Sequence, residues 1–405
     1  MGPVGLAARA LLLDERTWIA GGALWIERGV VRRVLATPGA VSRARKRAAA
    51  WIDVGEAVLA PGLVNGHAHL ELGALAGRVP PGPDFAAWIR GVVAARADLA
   101  RRELARGVRA GLVELRATGT TAVGDVDSTG TSTRLARALG LRGVVYRELL
   151  DLWDPARRRA ALAEARGPAR LGLARAGLSP HAPYTVSDEL LRAAGLRARR
   201  RALPLAIHWS ETRAELRWSR DGSGPLAELL PPSPRRAGLA RLDAAGLLTP
   251  HTALIHGNHP GRGEPELLAR RGVTLVHCPG AHAFFGREPF PLARYRAAGV
   301  PVALGTDSLA GNAALDLRRE MALLRAAFPR LAAAEVYAMA TRAGARALAR
   351  ADLGHARPGA AADLVAWRLE ARGLDEALDE LTRARPAVLA TFLAGRKLPR
   401  PRMPH

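Results

Sequence analysis

The stretch that decides the fold is VLAPGLVNGHAHLEL, residues 58–72. Its apolar run, residues 58–64 with a Pro-Gly break, predicts a buried strand that delivers His67 and His69 at its carboxyl end. Alternate residues of a strand point to the same side, so both imidazoles face one place. Two neutral imidazoles at that spacing favour a divalent-metal site. An isolated H-x-H pair is equally consistent with one surface histidine and one packed histidine, so the rest of the chain has to decide.

Strand-like and helical segments alternate through the middle of the chain. Helical patterns rich in Ala, Leu and Arg, such as 100–117 and 265–271, separate the strands. With the strand at Leu63 there are eight strand candidates, the others being 121–125, 143–148, 177–180, 204–208, 252–256, 273–277 and 302–306. Alternation at this count favours an α/β fold in which a parallel sheet closes into a (β/α)8 TIM barrel. A doubly wound open sheet is the alternative, and the lack of a G-x-G-x-x-G fingerprint after an early strand weakens it.

Both ends of the chain predict short strands. Residues 22–35, GALWIERGVVRRVL, alternate and carry β-branched and aromatic side chains, with Arg28-Gly29 as the turn between two strands. Residues 362–367 and 387–393 have the same character. We therefore expect a small β-sandwich domain assembled from both termini beside the barrel. The predicted division is 1–57 with 355–405 for the small β domain and 58–354 for the metal-dependent hydrolase barrel.

Length and composition indicate a chain with a large core and a reducing environment. The 405 residues are 49% hydrophobic, which suffices for a sizeable core. A single cysteine, Cys278, leaves no disulfide framework. No apolar stretch approaches the roughly 18 residues that span a bilayer. The N-terminal residues show no basic region followed by a long apolar core. We expect a cytoplasmic protein that does not enter a membrane, and the sequence leaves a homodimer open.

The net charge of +23 comes almost entirely from arginine, because Lys46 and Lys397 are the only lysines. The arginines are spread along helical segments, with short clusters at 43–47, 157–159 and 197–201. A nucleic-acid binder typically concentrates its charge in a stripe with interleaved aromatics, and aromatics make up only 4% of this chain. We predict a small-molecule substrate and no specific nucleic-acid partner, with nonspecific binding of polyanions at low salt.

Histidines and one aspartate lie at the ends of several predicted strands. His181 follows the fourth strand, His208 ends the fifth, His256 ends the sixth, and Asp307 follows the eighth. The chemistry of a barrel lies at the carboxyl ends of its strands, which converge on one mouth. One such histidine is usually structural. The whole set, together with the H-x-H pair, predicts an active site on that face.

These motifs resemble those of the amidohydrolase superfamily, in the branch of the cytosine, guanine and adenosine-type deaminases and the chlorohydrolases. The matching motifs are PGLVNGHAHLE, SPHAPYT, HWSET, HGNH and ALGTDS, in the family's order over residues 58–320. The resemblance implies that His256 hydrogen-bonds the water on the metal. It also implies one divalent ion, with zinc as the first candidate and iron as the second, because no lysine lies near the fourth strand to bridge two metals. The implied metal ligands are His67, His69, His208 and Asp307.

The resemblance also implies a reaction. A Lewis-acidic cation lowers the pKa of bound water to about 7, which supplies hydroxide at neutral pH. Asp307 can both ligate the ion and accept the water's proton. Glu211, in the H-x-x-E spacing after His208, resembles the shuttle that protonates the ring nitrogen as hydroxide attacks the amidine carbon and ammonia leaves. The alternative for Glu211 is a helix N-terminal carboxylate beside a barrel strand.

Several positions bear on the substrate. His181 in HAPYT resembles the residue that contacts a nucleoside sugar or ring. Phe85 and Trp88 in DFAAWIRGVVAAR resemble the lid of the same enzymes, with helix packing as the plain alternative. The thioadenosine and adenosylhomocysteine deaminases place ribose-binding carboxylates where this chain has Ala86 and Ala87, which disfavours those two substrates.

Other stretches favour a particular branch. The run HWSETRAELRW and the pattern FxxWxxxVxxxR are similar to the 6-aminodeoxyfutalosine deaminases of menaquinone synthesis. The run HCPGAHAFFG places His282 where many relatives have a Ser-Asn pair, so His282 is a candidate substrate contact. Glu148, at the end of the third strand, is another.

We therefore predict a mononuclear metal aminohydrolase that deaminates an adenine-type nucleoside, with 6-aminodeoxyfutalosine as the first candidate. Within the enzymes, the alternative is hydrolysis of another C–N or C–Cl bond, as on guanine, cytosine or a triazine. From a different class, the alternative is a non-catalytic nucleic-acid-binding protein on a barrel scaffold. The complete ligand set disfavours that last alternative.

Overall fold

The structure is a computed structural model and describes residues 2–81, 84–164 and 169–399. Two short 3-10 helices lie at Leu70–Leu75 and Pro225–Glu228. The strands are β1 Val4–Ala7, β2 Ala10–Asp14, β3 Thr17–Ala20, β4 Ala23–Glu27, β5 Val30–Leu35, β6 Ala50–Asp53, β7 Val58–Pro61, β8 Leu63–Ala68, β9 Thr120–Asp127, β10 Gly143–Leu149, β11 Arg170–Leu171, β12 Ala174–Pro180, β13 Leu205–Trp209, β14 Thr252–His256, β15 Thr274–His277, β16 Val302–Leu304, β17 Leu364–Trp367, β18 Val388–Leu393 and β19 Arg396–Lys397.

Helices follow the central strands. The α-helices are α1 Pro38–Arg45, α2 Phe85–Ala97, α3 Arg101–Ala117, α4 Thr131–Leu139, α5 Pro155–Glu164, α6 Asp188–Arg201, α7 Arg213–Asp221, α8 Gly238–Ala244, α9 Glu264–Arg271, α10 Pro279–Phe284, α11 Leu292–Ala298, α12 Leu317–Ala327, α13 Ala333–Met339, α14 Arg342–Ala347 and α15 Leu374–Arg383. The predicted helices 100–117 and 265–271 are α3 and α9, each with bounds within one residue of the prediction.

Eight parallel strands form the central barrel, in the order β8, β9, β10, β12, β13, β14, β15 and β16. Spatial order equals chain order, so each strand passes through a helical segment to its neighbour. An isolated parallel bridge between Ala68 and Asp307 joins the last strand's end to the first. The predicted (β/α)8 barrel is confirmed, and the doubly wound alternative is wrong because the strand order never reverses.

The barrel strands are buried on both faces, as expected when helices cover a parallel sheet. Val64, Val144 and Tyr146 point into the barrel and share one apolar cluster. Outward residues such as Leu205 and Leu275 pack in the large cluster beneath the helices. This alternation fixes which strand residues lie inside the barrel, and therefore which polar side chains reach its mouth.

The Pro-Gly break at residues 61–62 divides the opening motif between two sheets. Strand β7, Val58–Pro61, pairs antiparallel with β17 and parallel with β2, whereas β8 enters the barrel. A side chain at Gly62 would collide with Thr121, so only glycine allows the chain to cross here. Pairing passes from the small sheet to the barrel at Gly62, so the domain boundary that we propose lies there rather than at residue 58.

Apart from β11, which pairs antiparallel with β12, the other strands form two sheets from both ends of the chain. Their orders are β19-β18-β17-β7-β2-β3 and β5-β4-β1-β6. The predicted hairpin turn at Arg28-Gly29 joins β4 to β5, and both residues adopt the positive φ (51° and 77°) that a tight hairpin turn requires. Side chains from both termini, including Leu6, Leu59 and Phe392, share one core. This agrees with a small β domain built from both termini. Residues 400–405 of that predicted domain lie outside the described residues.

Among the described residues, no helix combines the length and the apolar character needed to cross a bilayer.

Candidate active site

Asn65 and Thr306 join the first barrel strand to the segment after the last. The Asn65 side-chain amide donates to Thr306 Oγ1 (2.8 Å), and Asn65 Oδ1 accepts from the backbone N–H of His67 (3.1 Å) and of Thr306 (3.3 Å). The backbone carbonyl of His67 accepts from the amides of Thr306 (3.0 Å) and Asp307 (3.1 Å). These bonds place the carboxylate of Asp307 beside the imidazole of His67.

The four predicted ligands converge at the mouth of the barrel. Nε2 of His69 lies 3.3 Å from Nε2 of His208. Asp307 Oδ1 lies 3.5 Å from Nε2 of His67 and 3.7 Å from Nε2 of His69. Two ligands of one tetrahedral zinc ion, each about 2 Å from it, are about 3.3 Å apart. The spacing of the four side chains therefore suits one divalent ion.

Buried histidine nitrogens support the same conclusion. The ring of His67 is fully buried, and neither of its nitrogens has a hydrogen-bond partner among the described residues. An orphaned buried nitrogen is costly unless an ion or water satisfies it. Nδ1 of His208 lies 2.9 Å from the carbonyl oxygen of His181 and must donate to it, which leaves a lone pair on Nε2 facing the site.

The electrostatics keep the imidazoles of His69 and His208 neutral, the form that binds metal. Burial, reinforced by the neighbouring histidines, lowers the pKa of His69 to about 3 and holds the pKa of His208 well below its usual value. Burial raises the pKa of Asp307, but the facing histidines outweigh it and hold that pKa well below its usual range. The cluster thus presents neutral imidazoles and an ionised carboxylate, a donor set that fits a divalent cation.

His256 ends β14 between two carboxylates. Its Nε2 lies 3.7 Å from Glu211 Oε1 and 4.0 Å from Asp307 Oδ2. His256 and Asp307 both have positive φ (74° and 59°), which is uncommon outside glycine and places both residues in a strained backbone beside the ligand cluster. The structure therefore brings His256 to the ligand cluster, on the side that also holds Glu211.

The backbone of Glu211 is held through both its N–H and its carbonyl. Its N–H donates to Glu215 Oε2 (2.8 Å), and its carbonyl accepts from the Asn258 amide (3.0 Å) and from Arg287 Nη1. Burial raises the pKa of Glu211 to about 7, against the opposing charge of Arg287. A carboxyl group with a pKa near neutrality suits proton transfer in both directions.

Glu215, and not Glu211, is the carboxylate at the N-terminus of the helix that follows the fifth barrel strand. Helix α7 begins at Arg213, with Thr212 as its N-cap, and Glu215 is the acid in its first turn. Its two carboxyl oxygens accept from the amides of Ser210 (3.0 Å) and Glu211 (2.8 Å). Burial raises the pKa of Glu215 to about 8. Glu211 precedes the helix and is free of capping, so its carboxyl group can face the site.

Arg287 is a site residue that the sequence reasoning missed. Its Nη2 lies 2.6 Å from Glu211 Oε1, and its guanidinium lies over the rings of Phe285 (4.7 Å) and Phe85 (5.4 Å). The one available signal was its position in HCPGAHAFFGREP, the stretch that departs from many relatives. Arginine is so common in this chain that its type alone carried no information.

The predicted lid residues form an aromatic cluster against Arg287. Helix α2 begins after Asp84, whose side chain accepts from the Ala87 N–H (2.8 Å). The rings of Phe85 and Trp88 stack at 5.6 Å, and Trp88 meets Phe285 edge-on at 4.9 Å. Both predicted residues therefore pack with neighbouring rings. Phe85 also contacts the guanidinium of Arg287, which links this cluster to Glu211.

The other predicted substrate contacts lie at different distances from the cluster. The ring centroid of His181 is 4.8 Å from that of His208, and its Nδ1 is 2.8 Å from Thr185 Oγ1. Glu148 is the last residue but one of the third barrel strand, β10, and burial raises its pKa to about 7. His282 instead lies 2.7 Å from the carbonyl oxygen of Glu288 through Nε2, so it holds the loop that carries Arg287. Its contact with substrate stays a prediction.

A parallel barrel with three histidines and an aspartate converging at the carboxyl ends of its strands defines a metal-dependent barrel hydrolase. The comparison with family models identifies the group more closely. The Amidohydrolase family model matches residues 58–398, and the chain belongs to that family. It is therefore a hydrolase acting on C–N bonds, as the resemblance of the motifs predicted.

Two relatives and one solved structure are similar over most of the chain. Identity to the 5-methylthioadenosine/S-adenosylhomocysteine deaminase of Pyrococcus furiosus is 31% over 320 residues, covering 76% of this chain and 71% of that protein. Identity to the aminodeoxyfutalosine deaminase of Deinococcus radiodurans is 33% over 315 residues, covering 72% and 73%. A zinc-bound adenosine deaminase from Xanthomonas campestris superposes with a TM-score of 0.82 at 26% identity, covering 98% of this chain and 93% of that one. Amidohydrolase-type deamination is the activity these relatives share.

Proposed function

We propose that this protein is a mononuclear metal aminohydrolase that replaces the amino group of an adenine-type nucleoside with oxygen and releases ammonia. The observation that supports this most strongly is the position of the Glu211 carboxyl group. It lies beside His256 and close to Asp307, next to a donor set for one divalent ion. Hydrolysis of a simple amide needs no carboxyl group to protonate a ring nitrogen, whereas deamination of an aromatic amidine does.

His67, His69, His208 and Asp307 would hold the ion, with zinc as the first candidate. When bound, a divalent cation lowers the pKa of a coordinated water to about 7 and so supplies hydroxide at neutral pH. Such an ion would satisfy the orphaned Nε2 of His67, and the 3.3 Å separation of the His69 and His208 Nε2 atoms suits two ligands of one ion.

Glu211 and His256 perform the proton chemistry in this proposal. Glu211 accepts a proton from the attacking water and delivers it to the ring nitrogen next to the carbon under attack. That nitrogen must gain a proton because addition at the carbon disrupts the conjugation of the ring. His256, neutral because burial holds its pKa well below the usual value, orients the water through Nε2. One proton of the water reaches the ring nitrogen through Glu211, and the second passes from the new hydroxyl group to the departing amino group, so one water is consumed and one ammonia is released.

For the substrate we propose 6-aminodeoxyfutalosine as the first candidate among adenine nucleosides. The aminodeoxyfutalosine deaminase relative supports this, while the thioadenosine relatives of similar identity support the broader class. Ala86 is fully buried in an apolar cluster with Ala182 and Tyr184, where a ribose-binding carboxylate would have no partner. His181, Glu148 and the aromatic pair on α2 are the proposed substrate contacts.

A substrate panel tests the proposal. Zinc-reconstituted protein is assayed for ammonia release from adenosine, 5′-deoxyadenosine, methylthioadenosine, adenosylhomocysteine and 6-aminodeoxyfutalosine, with guanine, cytosine and a chlorotriazine beside them. We expect turnover of at least one adenine nucleoside and the highest kcat/KM on 6-aminodeoxyfutalosine. Turnover confined to the last three compounds would replace the proposed substrate class. Tight, sequence-selective DNA binding at physiological salt would instead favour the nucleic-acid alternative.

A further inference from the structure

Arg287 makes two contacts with one residue. Its Nη1 donates to the backbone carbonyl of Glu211 and its Nη2 to the side-chain Oε1 at 2.6 Å. Two donors of one rigid guanidinium fix both the main chain and the carboxyl group of the same residue. A side chain with a single donor could not hold the backbone carbonyl and the carboxyl group of Glu211 at the same time.

The surroundings of Arg287 direct it to Glu211. Its side chain is only 9% exposed and lies over Phe85 and Phe285. The neighbouring Glu288 does not compete, because it pairs with Arg213 through two contacts on the surface. Among the described residues the one carboxylate within ion-pair distance of Arg287 is that of Glu211. A buried and aromatic-flanked guanidinium has little freedom to find another partner.

The two oxygens of Glu211 have different environments. Oε1 is held by Arg287 and lies 3.7 Å from His256 Nε2. Oε2 receives no hydrogen bond from the described part of the chain. A carboxylate that shuttles a proton needs one oxygen that is free to gain and lose it, and it needs that oxygen in a fixed place.

We propose that Arg287 is a positioning residue for the deamination, holding one oxygen of Glu211 so that the other faces the attacking water and the ring nitrogen. This inference rests on the proposed function of Glu211 as the proton shuttle. Arg287 acts through Glu211 and makes no contact with the reacting atoms. Helix α2 contributes through Phe85, which packs against the guanidinium from the lid side.

A double-mutant cycle tests the proposal. Arg287→Met, Arg287→Lys, Glu211→Gln and the double variant Arg287→Met/Glu211→Gln are prepared with zinc and assayed on the best nucleoside of the panel. Arg220→Met is the control, since Arg220 is 74% exposed and pairs on the surface with its neighbour Asp221. A misplacement of about 1 Å can cost roughly 10²-fold, so we expect Arg287→Met to lower kcat by about that factor with KM little changed.

Coupling to Glu211 is the decisive readout. In the Glu211→Gln background, Arg287→Met should lower kcat by less than about threefold, because the group it positions can no longer carry the proton. Arg287→Lys should recover part of the loss and Arg220→Met should match wild type. Equal losses in both backgrounds would overturn the proposal and make Arg287 a structural residue. A rise in KM with kcat unchanged would overturn it in favour of substrate binding.

A second measurement separates this inference from the proposed function. If wild type deaminates none of the nucleosides, the proposed function fails, whatever Arg287 does. The crystal structure of zinc-loaded Arg287→Met then decides the positioning claim alone, with a rotated or disordered Glu211 carboxyl group as the expected result. An unmoved Glu211 would overturn it. With an active wild type and no coupling in the cycle, the inference alone fails.

Discussion

The two sides of the active site are built in different ways. On one side, His67, His208 and Asp307 lie at the ends of barrel strands, and the hydrogen-bond ladder of the sheet fixes where they are. On the other side, Arg287 and Phe285 lie in a connection after β15, where local backbone hydrogen bonds and side-chain contacts hold them instead of a sheet. The strand side suits an ion that needs a fixed geometry. The loop side holds the carboxyl group of Glu211 through Arg287. The two sides should therefore differ in how much activity each residue controls.

The largest effect is expected on the strand side. His208→Ala should lose the metal and lower turnover by about 10³-fold or more, as expected when several kcal/mol of charge stabilisation is lost. Elemental analysis should find about one ion per chain in wild type and well below one in the variant. His251→Ala is the control, because His251 is an exposed histidine at the amino end of β14. Two tightly held ions in wild type, or a variant with full metal and activity, would contradict the assignment.

Glu211→Gln tests the residue where the two sides meet. The amide keeps the shape of the side chain but cannot pass a proton, so kcat should fall by about 10²–10⁴-fold. Metal content should stay at the wild-type value, since Glu211 is not proposed as a ligand. Glu288→Gln, an exposed acid in the same loop as Arg287, should leave kcat unchanged. Loss of metal in Glu211→Gln would make Glu211 a ligand and redraw the site.

The same division separates what the sequence could and could not predict. Strand-borne residues could be placed because a barrel strand has a regular period and a defined carboxyl end, so the predicted strand ends for His208 and His256 lie within one residue of those in the structure. The predicted boundary at residue 58 and the boundary that we propose at Gly62 differ by a few residues because one apolar run serves two sheets.

Loop-borne residues carry no such period. Arg287 reaches Glu211 only through the path of residues 282–288, which depends on the bond from His282 to the Glu288 carbonyl. In a chain rich in arginine, residue type did not single it out. Glu215 was missed for a different reason. An acid in the first turn of a helix is ordinarily a solvated residue that interacts with the helix dipole, and its burial against the Ser210 and Glu211 amides follows from tertiary packing.

Glu215 predicts a pH dependence of stability on the loop side. Burial raises its pKa to about 8 in the folded state from 4.5, so the folded protein binds the proton more tightly than the unfolded chain. The contribution of Glu215 to the free energy of unfolding is therefore complete below pH 4.5. It is lost as pH rises toward 8, at about 1 kcal/mol per pH unit or slightly more. Glu215→Gln cannot ionise and should lose one acceptor bond, costing about 1 kcal/mol at low pH.

The measurement is urea unfolding of zinc-loaded wild type and Glu215→Gln between pH 5 and 8. The stability advantage of wild type over Glu215→Gln should shrink and then reverse in sign as pH rises, because only wild type carries the ionisation penalty. Effects of pH on metal affinity act on both proteins and cancel in the difference. A difference that stays constant across this range would mean that Glu215 is ionised in the folded protein throughout, with its two amide donors outweighing burial.

The smallest effect is expected from Phe85, the contact between helix α2 and the guanidinium of Arg287. A half-buried cation–π contact contributes about 1 kcal/mol, so Phe85→Leu should lower kcat by about fivefold if the ring acts only by steadying Arg287. Steady-state kinetics should show the loss in kcat with KM within about twofold, and none of it in the Arg287→Met background. Phe284→Leu provides the matched control, since its ring contacts Phe285 and not Arg287. A large rise in KM for Phe85→Leu would instead place the ring against the substrate, and the loop side would then select the nucleoside as well as aim the carboxyl group.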